Sequence, residues 1–126
     1  MNTDEFRTKL EEVQDLMRQE KYGKALYLLE ELKEIEQTGD FDYSLTHKLY
    51  QLISNSKSLY NQQKILNLIT QISQKEDSVS LVDLNQKLKE QENLDIDLSI
   101  LKREIEILIL RSLLKCQIDG DFLIFT

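Results

Sequence analysis

The chain has no proline and only three glycines, Gly23, Gly39 and Gly120. With so few breakers, long helices are favoured, and those glycines are expected to mark turns. A single cysteine, Cys116, excludes an internal disulfide and with it a disulfide-stapled secreted scaffold. A single histidine, His47, excludes a His-based zinc cluster or a paired-His site. No apolar run approaches the ~20 residues a bilayer span needs. The first stretch, "MNTDEFRTKLEEV", lacks both the basic flank and apolar core of a signal peptide and the Arg-rich character of a transit peptide. The expected address is therefore cytoplasmic or nuclear.

Catalytic signatures are also missing. There is no Gly-rich phosphate loop and no nucleophile motif. The carboxylate pairs Asp40/Asp42, Asp95/Asp97 and Asp119/Asp121 lack the further ligands and internal glycine of a calcium loop, so capping and turn roles are expected. Cys116 shares strand parity with Ile118 and reads as a buried, inert thiol. No enzyme activity, cofactor or metal is expected.

What is present is an ordinary folded composition. Apolar residues make up 40% and charged residues 31% of 126, which suits a folded chain and not a disordered one. A chain of this length buries roughly two-thirds of its unfolded surface without staples. Net charge is -7. Residues 1–75 hold 10 basic and 12 acidic residues, and residues 76–126 hold 6 and 11. An acidic second half repels a phosphate backbone unless its few cations cluster, so protein partners are favoured.

Helical periodicity runs through the first part. Thr3 is a plausible N-cap, and Phe6, Leu10, Val13, Leu16 and Met17 form a first stripe whose polar face carries acids rather than the bases of a membrane-surface helix. "KYG" is expected to break this helix, and Ala25, Leu28, Leu29, Leu32 and Ile35 form the next stripe, with Gly39 at its C-terminal turn. This pair resembles a tetratricopeptide-type hairpin through "EKYGKALYLLEEL", with no second copy at the 34-residue period. A third helix is read on Leu45, Leu49, Leu52 and Ile53, an interruption at Ser56–Ser58, and a fourth helix on Ile65, Leu68, Ile69 and Ile72. The tyrosines at 22, 27, 43, 50 and 60 are expected to pack their rings and leave hydroxyls wet.

After Lys75 the pattern changes. Val79–Leu81 reads as a short strand and "LVDLNQKLKEQ" as a helix on Leu81, Leu84 and Leu88. "ENLDID" is a loop with Leu94 and Ile96 inward, and Asp97 or Ser99 caps a long helix running through Lys115. Two apolar runs around Asp119-Gly120 then form a hairpin. This is the element order of a winged helix. The long helix carries one stripe on Leu98, Leu101, Ile105, Leu108 and Ser112, and a second on Ile100, Ile107, Leu110 and Leu114. A helix apolar over most of its circumference is a buried one.

The stretch "SVSLVDLNQKL…LDIDLSILKREIEILILRSLLKCQIDGDFLIF" resembles the winged-helix end of PCI domains, found in the proteasome lid, the COP9 signalosome and translation initiation factor 3. Glu104, Ile105, Leu108 and Ile109 match the family's helix pattern. Leu114, Cys116, Ile118 and Asp119 match the first hairpin strand, and Phe122, Ile124 and Phe125 the second. The family's common glycine before the first strand is replaced around "SLLK". The resemblance covers about the last 50 residues and implies a scaffold role in which winged helices assemble side by side.

Together these readings predict a mainly α protein: N-terminal helical hairpins (1–75, four helices) packed on a C-terminal winged helix (76–126) with a small antiparallel sheet. The expected function is a non-enzymatic assembly subunit or adaptor that binds protein partners of a multisubunit complex. Ile100, Ile107, Leu110, Leu114, Phe122 and Ile124 are the candidate partner-binding residues. The alternative is a winged-helix DNA-binding regulator, in which Lys102, Arg103, Arg111 and Lys115 gather on one face.

Overall fold

The structure, a computed structural model, describes every residue from Met1 to Thr126. Five helices and three strands follow one another as α1 (Thr3–Arg18), α2 (Tyr22–Thr38), α3 (Tyr43–Ser73), β1 (Ser78–Ser80), α4 (Leu81–Gln91), α5 (Leu98–Leu110), β2 (Cys116–Asp119) and β3 (Phe122–Phe125). The chain forms two compact units, Met1–Tyr60 and Asn61–Thr126, divided within α3. It is mainly helical with a small antiparallel sheet, as its composition and periodicity predict.

In the first unit α1 begins one residue earlier than expected. Asn2 is the N-cap, its Oδ1 accepting from the Glu5 N–H at 2.8 Å, and Thr3 is the first helical residue. The helix ends in a Schellman turn. Glu20 takes φ 60°, its N–H donates to the Met17 carbonyl, and the Lys21 N–H donates to the Leu16 carbonyl. Because that turn stops α1, Gly23 is not the breaker and lies in the first turn of α2. Gly39 is the C-cap of α2, and a Cβ there would collide with the Phe41 ring, which stacks on Phe6 at 4.4 Å. Phe6, Leu10 and Val13 of α1, Ala25, Leu29 and Leu32 of α2, and Leu45, Leu49, Leu52 and Ile53 of α3 form one buried cluster. Thr46 and Tyr50 of α3 donate to the two carboxylate oxygens of Glu36 on α2, at 3.3 and 3.1 Å.

The expected interruption at Ser56–Ser58 is absent. α3 continues unbroken for 31 residues. Three polar residues in a row do not stop a helix when none is proline or glycine, and Ser56 is fully buried. The stripe Leu45–Leu49–Leu52–Ile53 and the stripe Ile65–Leu68–Ile69–Ile72 do not continue one another at helical spacing. Each serves its own unit. Both four-residue sets are buried, and no break separates them.

The second unit follows the order read from the sequence: short strand, helix, loop, helix, hairpin. Its boundaries shift slightly. β1 is Ser78–Ser80, and Ser80 caps α4 by accepting from the Asp83 N–H at 3.0 Å, so Leu81 is helical. Asp97 caps α5 with no side-chain bond. α5 stops at Leu110 rather than running to Lys115. Ser112 adopts φ 60°, its N–H donates to the Ile109 carbonyl, and the Leu113 N–H donates to the Leu108 carbonyl. A Schellman turn therefore forms with serine in the position glycine usually fills.

The sheet order is β1-β3-β2, all antiparallel. Asp119 pairs with Phe122, so the hairpin loop is Gly120-Asp121 and Asp119 belongs to β2. Only Gly120 of the two takes positive φ, at 60°, the pattern of a type II′ turn. The pleat turns Val79, Leu123, Cys116 and Ile118 to one face and Phe122 and Ile124 to the other. The unit's core is built from Leu81, Leu84 and Leu88, Leu101, Ile105 and Leu108, and the second α3 stripe.

Candidate functional site

α5 is less symmetric than its sequence suggests. Leu101, Ile105 and Leu108 are buried, but Leu98 and Ser112 of the same stripe are exposed. Burying each such aliphatic side chain stabilises by about 1.5–3 kcal/mol, so those left in water call for a reason. Leu110 is 83% exposed and Leu113 47%. Both sit where the Schellman turn releases the chain from the helix, which frees their side chains from the core.

Beside them lies a groove of about 690 Å³, lined by Glu106, Ile109 and Leu110 of α5 and by Cys116, Gln117, Ile118 and Asp119 of β2. β2 is an outer strand, and no strand pairs with its far side. The groove is apolar at Ile109, Leu110, Cys116 and Ile118, and its only charges, Glu106 and Asp119, are negative.

Of the six residues expected to bind a partner, only Leu110 lines this groove. Leu114, half-buried, faces a smaller cavity of about 270 Å³ with Ile69, Leu113 and Phe125. Phe122 and Ile124 lie on the sheet face opposite Leu123; Phe122 is 51% exposed and Ile124 half-buried. Ile100 and Ile107 are half-buried on α5. Ile109, Ile118, Glu106 and Asp119 escaped the sequence reading as site residues. Their signal was available only in part: Glu106, Ile109 and Leu110 stand at i, i+3 and i+4, but their proximity to β2 is tertiary.

The four candidate cations have different surroundings. An Arg103 guanidinium nitrogen bonds Glu104 Oε1 at 3.3 Å, and Arg111 donates to Gln62 Oε1 at 2.6 Å. Lys102 and Lys115 are exposed. Glu104 itself is fully buried, and its Oε2 accepts from Gln62 Nε2 at 2.9 Å. Gln62 thus joins a buried carboxylate to one of the arginines, and both guanidiniums are held by groups of this unit.

His47 is exposed and stacks on Tyr43 at 6.1 Å. Tyr27 and Tyr43 are 72% and 83% exposed, so their rings do not pack as expected. Cys116 is buried and free, and desolvation holds its thiol pKa above the ordinary value. No three His, Cys, Asp or Glu residues are placed to hold a metal, and no helix is long and apolar enough to cross a membrane.

No family model, curated protein or solved structure matches the chain. The functional reading therefore rests on the groove and on the strand edge beside it.

Proposed function

We propose that this chain is a non-enzymatic interaction module, an adaptor or assembly subunit acting in the cytoplasm or nucleus through a PCI-like winged helix in residues 76–126. The observation that carries the reading is Leu110, exposed at the end of α5 beside the apolar groove and the unpaired edge of β2. A contiguous apolar surface with a charged rim is the ordinary anatomy of a protein-binding patch. An acidic lining and two internally engaged arginines favour a protein over duplex nucleic acid as the occupant.

The test is affinity capture from native extract with the wild-type chain and with Leu110→Glu in parallel. Leu110 is already in water, so the substitution spares the core. The expected result is a set of proteins retained by the wild type and lost from the variant. An identical set retained by both sinks the proposal.

A further inference from the structure

We infer that the free edge of β2 takes an extended partner segment of alternating apolar and basic residues, added as a fourth strand of the sheet. This rests on the interaction-module reading and narrows it to one edge and one ligand chemistry.

The phase of the ladder makes the edge competent. Asp119 pairs with Phe122 across the two-residue loop, and the Thr126 N–H donates to the Lys115 carbonyl. In an antiparallel ladder alternate residues bond inward, so Lys115, Gln117 and Asp119 face β3 while the N–H and C=O groups of Cys116 and Ile118 point to the open side. An added strand satisfies those groups, the mode by which exposed sheet edges capture peptides.

The pleat then dictates the occupant's pattern. Every second side chain of the added strand lies on the same face as Cys116 and Ile118, above Ile109 and Leu110, where an apolar group is favoured. The intervening side chains fall on the face of Gln117 and Asp119, where Asp119 is negative and Lys115 stands at the far end of the strand, while Glu106 adds a second negative charge to the groove from α5. Lysine or arginine belongs at the Asp119 end. A second copy of this chain is a poor occupant, because pairing two β2 edges brings two such acidic rims together in a molecule of net charge -7.

The test uses the full chain and a fluorescent nine-residue peptide of alternating valine and lysine, followed by anisotropy. Saturable binding is expected, weakened at least ~10-fold when glutamate replaces the lysines. Methylating the peptide's alternate amides in one parity is expected to abolish binding, while the other parity stays within about 2-fold, because only one set of amides faces β2. Glu106→Gln with Asp119→Asn is expected to weaken binding by ~3–10-fold at low salt.

Equal effects of the two methylation patterns would mean unspecific charge attraction and overturn the strand-addition proposal. So would a concentration-dependent mass in which the Cys116 and Ile118 amides become protected from exchange, since a second copy would then hold the edge. If the peptide fails but Leu110→Glu still loses captured proteins, strand addition is wrong and the interaction-module reading stands. If Leu110→Glu loses nothing, that broader reading fails.

Discussion

Gln62 Nε2 donates to Glu104 Oε2 at 2.9 Å, and the two residues are 6% and 0% exposed. The bond places a carboxylate from α5 against the second half of α3 inside one unit. Removing Gln62 takes one donor from a buried carboxylate that keeps its Arg103 contact, whereas replacing both residues with apolar groups removes the buried polar atoms together. Gln62→Leu is expected to destabilise by about 2–4 kcal/mol in denaturant unfolding, and Gln62→Leu with Glu104→Leu by clearly less. Additive losses in that double-mutant cycle would show that the bond is incidental.

Ser56 is fully buried in the middle of α3, and its hydroxyl has no hydrogen-bond partner. An unpaired buried hydroxyl costs roughly 1–3 kcal/mol, and alanine is the better helix former. Ser56→Ala is therefore expected to stabilise by ~1 kcal/mol, read as a rise in the denaturation midpoint at unchanged slope. A loss of stability would mean that the hydroxyl has a partner in solution.

Ser112 occupies the left-handed position that ends α5. A side chain there costs about 1 kcal/mol relative to glycine, less what glycine loses in unfolded-state entropy. Ser112→Gly is expected to stabilise by ~0.5 kcal/mol. The converse change at the hairpin, Gly120→Ala, meets no neighbouring atom within 4 Å but forces alanine to φ 60°, so a loss of ~1 kcal/mol is expected from backbone strain alone. Shifts of opposite sign at the two positions would establish the conformational cause; no shift at either would refute it.

Cys116 is desolvated, which raises its thiol pKa by disfavouring the thiolate. A folded pKa above the unfolded value gives stability that is complete below the ordinary thiol range and lost as pH rises through the folded pKa. The pH dependence from this group is thus confined to alkaline solution, above about pH 8.5. Iodoacetamide alkylation of the folded chain is expected to reach half its limiting rate at higher pH than in the urea-unfolded chain. Coincident profiles would place the thiol in water.

Much of the fold was legible in residues 1–126 because helical periodicity, few breakers and a glycine turn act locally, although the hairpin loop is Gly120-Asp121 and not Asp119-Gly120. Every member of the stripes Leu45–Ile53 and Ile65–Ile72 is buried, and the order strand, helix, loop, helix, hairpin is observed. α3's continuity was obscured because the polar run Ser56-Lys57-Ser58 resembles a loop, yet without proline or glycine it stays helical. Glu104 was a different kind of miss. It stands at i+3 from Leu101 and i-4 from Leu108, on their face, so its burial is readable from spacing, although a carboxylate is ordinarily found in solvent.

By itself, then, the sequence determined the elements: absent prolines and periodic leucines make helices, and Gly120 makes a hairpin, through energies that reach only a few residues along the chain. Tertiary structure alone decided which apolar residues stayed outside. Leu110, Ile109 and Ile118 come together because α5 stops at Leu110, turned by Ser112, and β2 lies at the sheet's edge. Neither burial nor edge position is a property of a residue's own neighbours in sequence, since both depend on what the folded chain leaves uncovered.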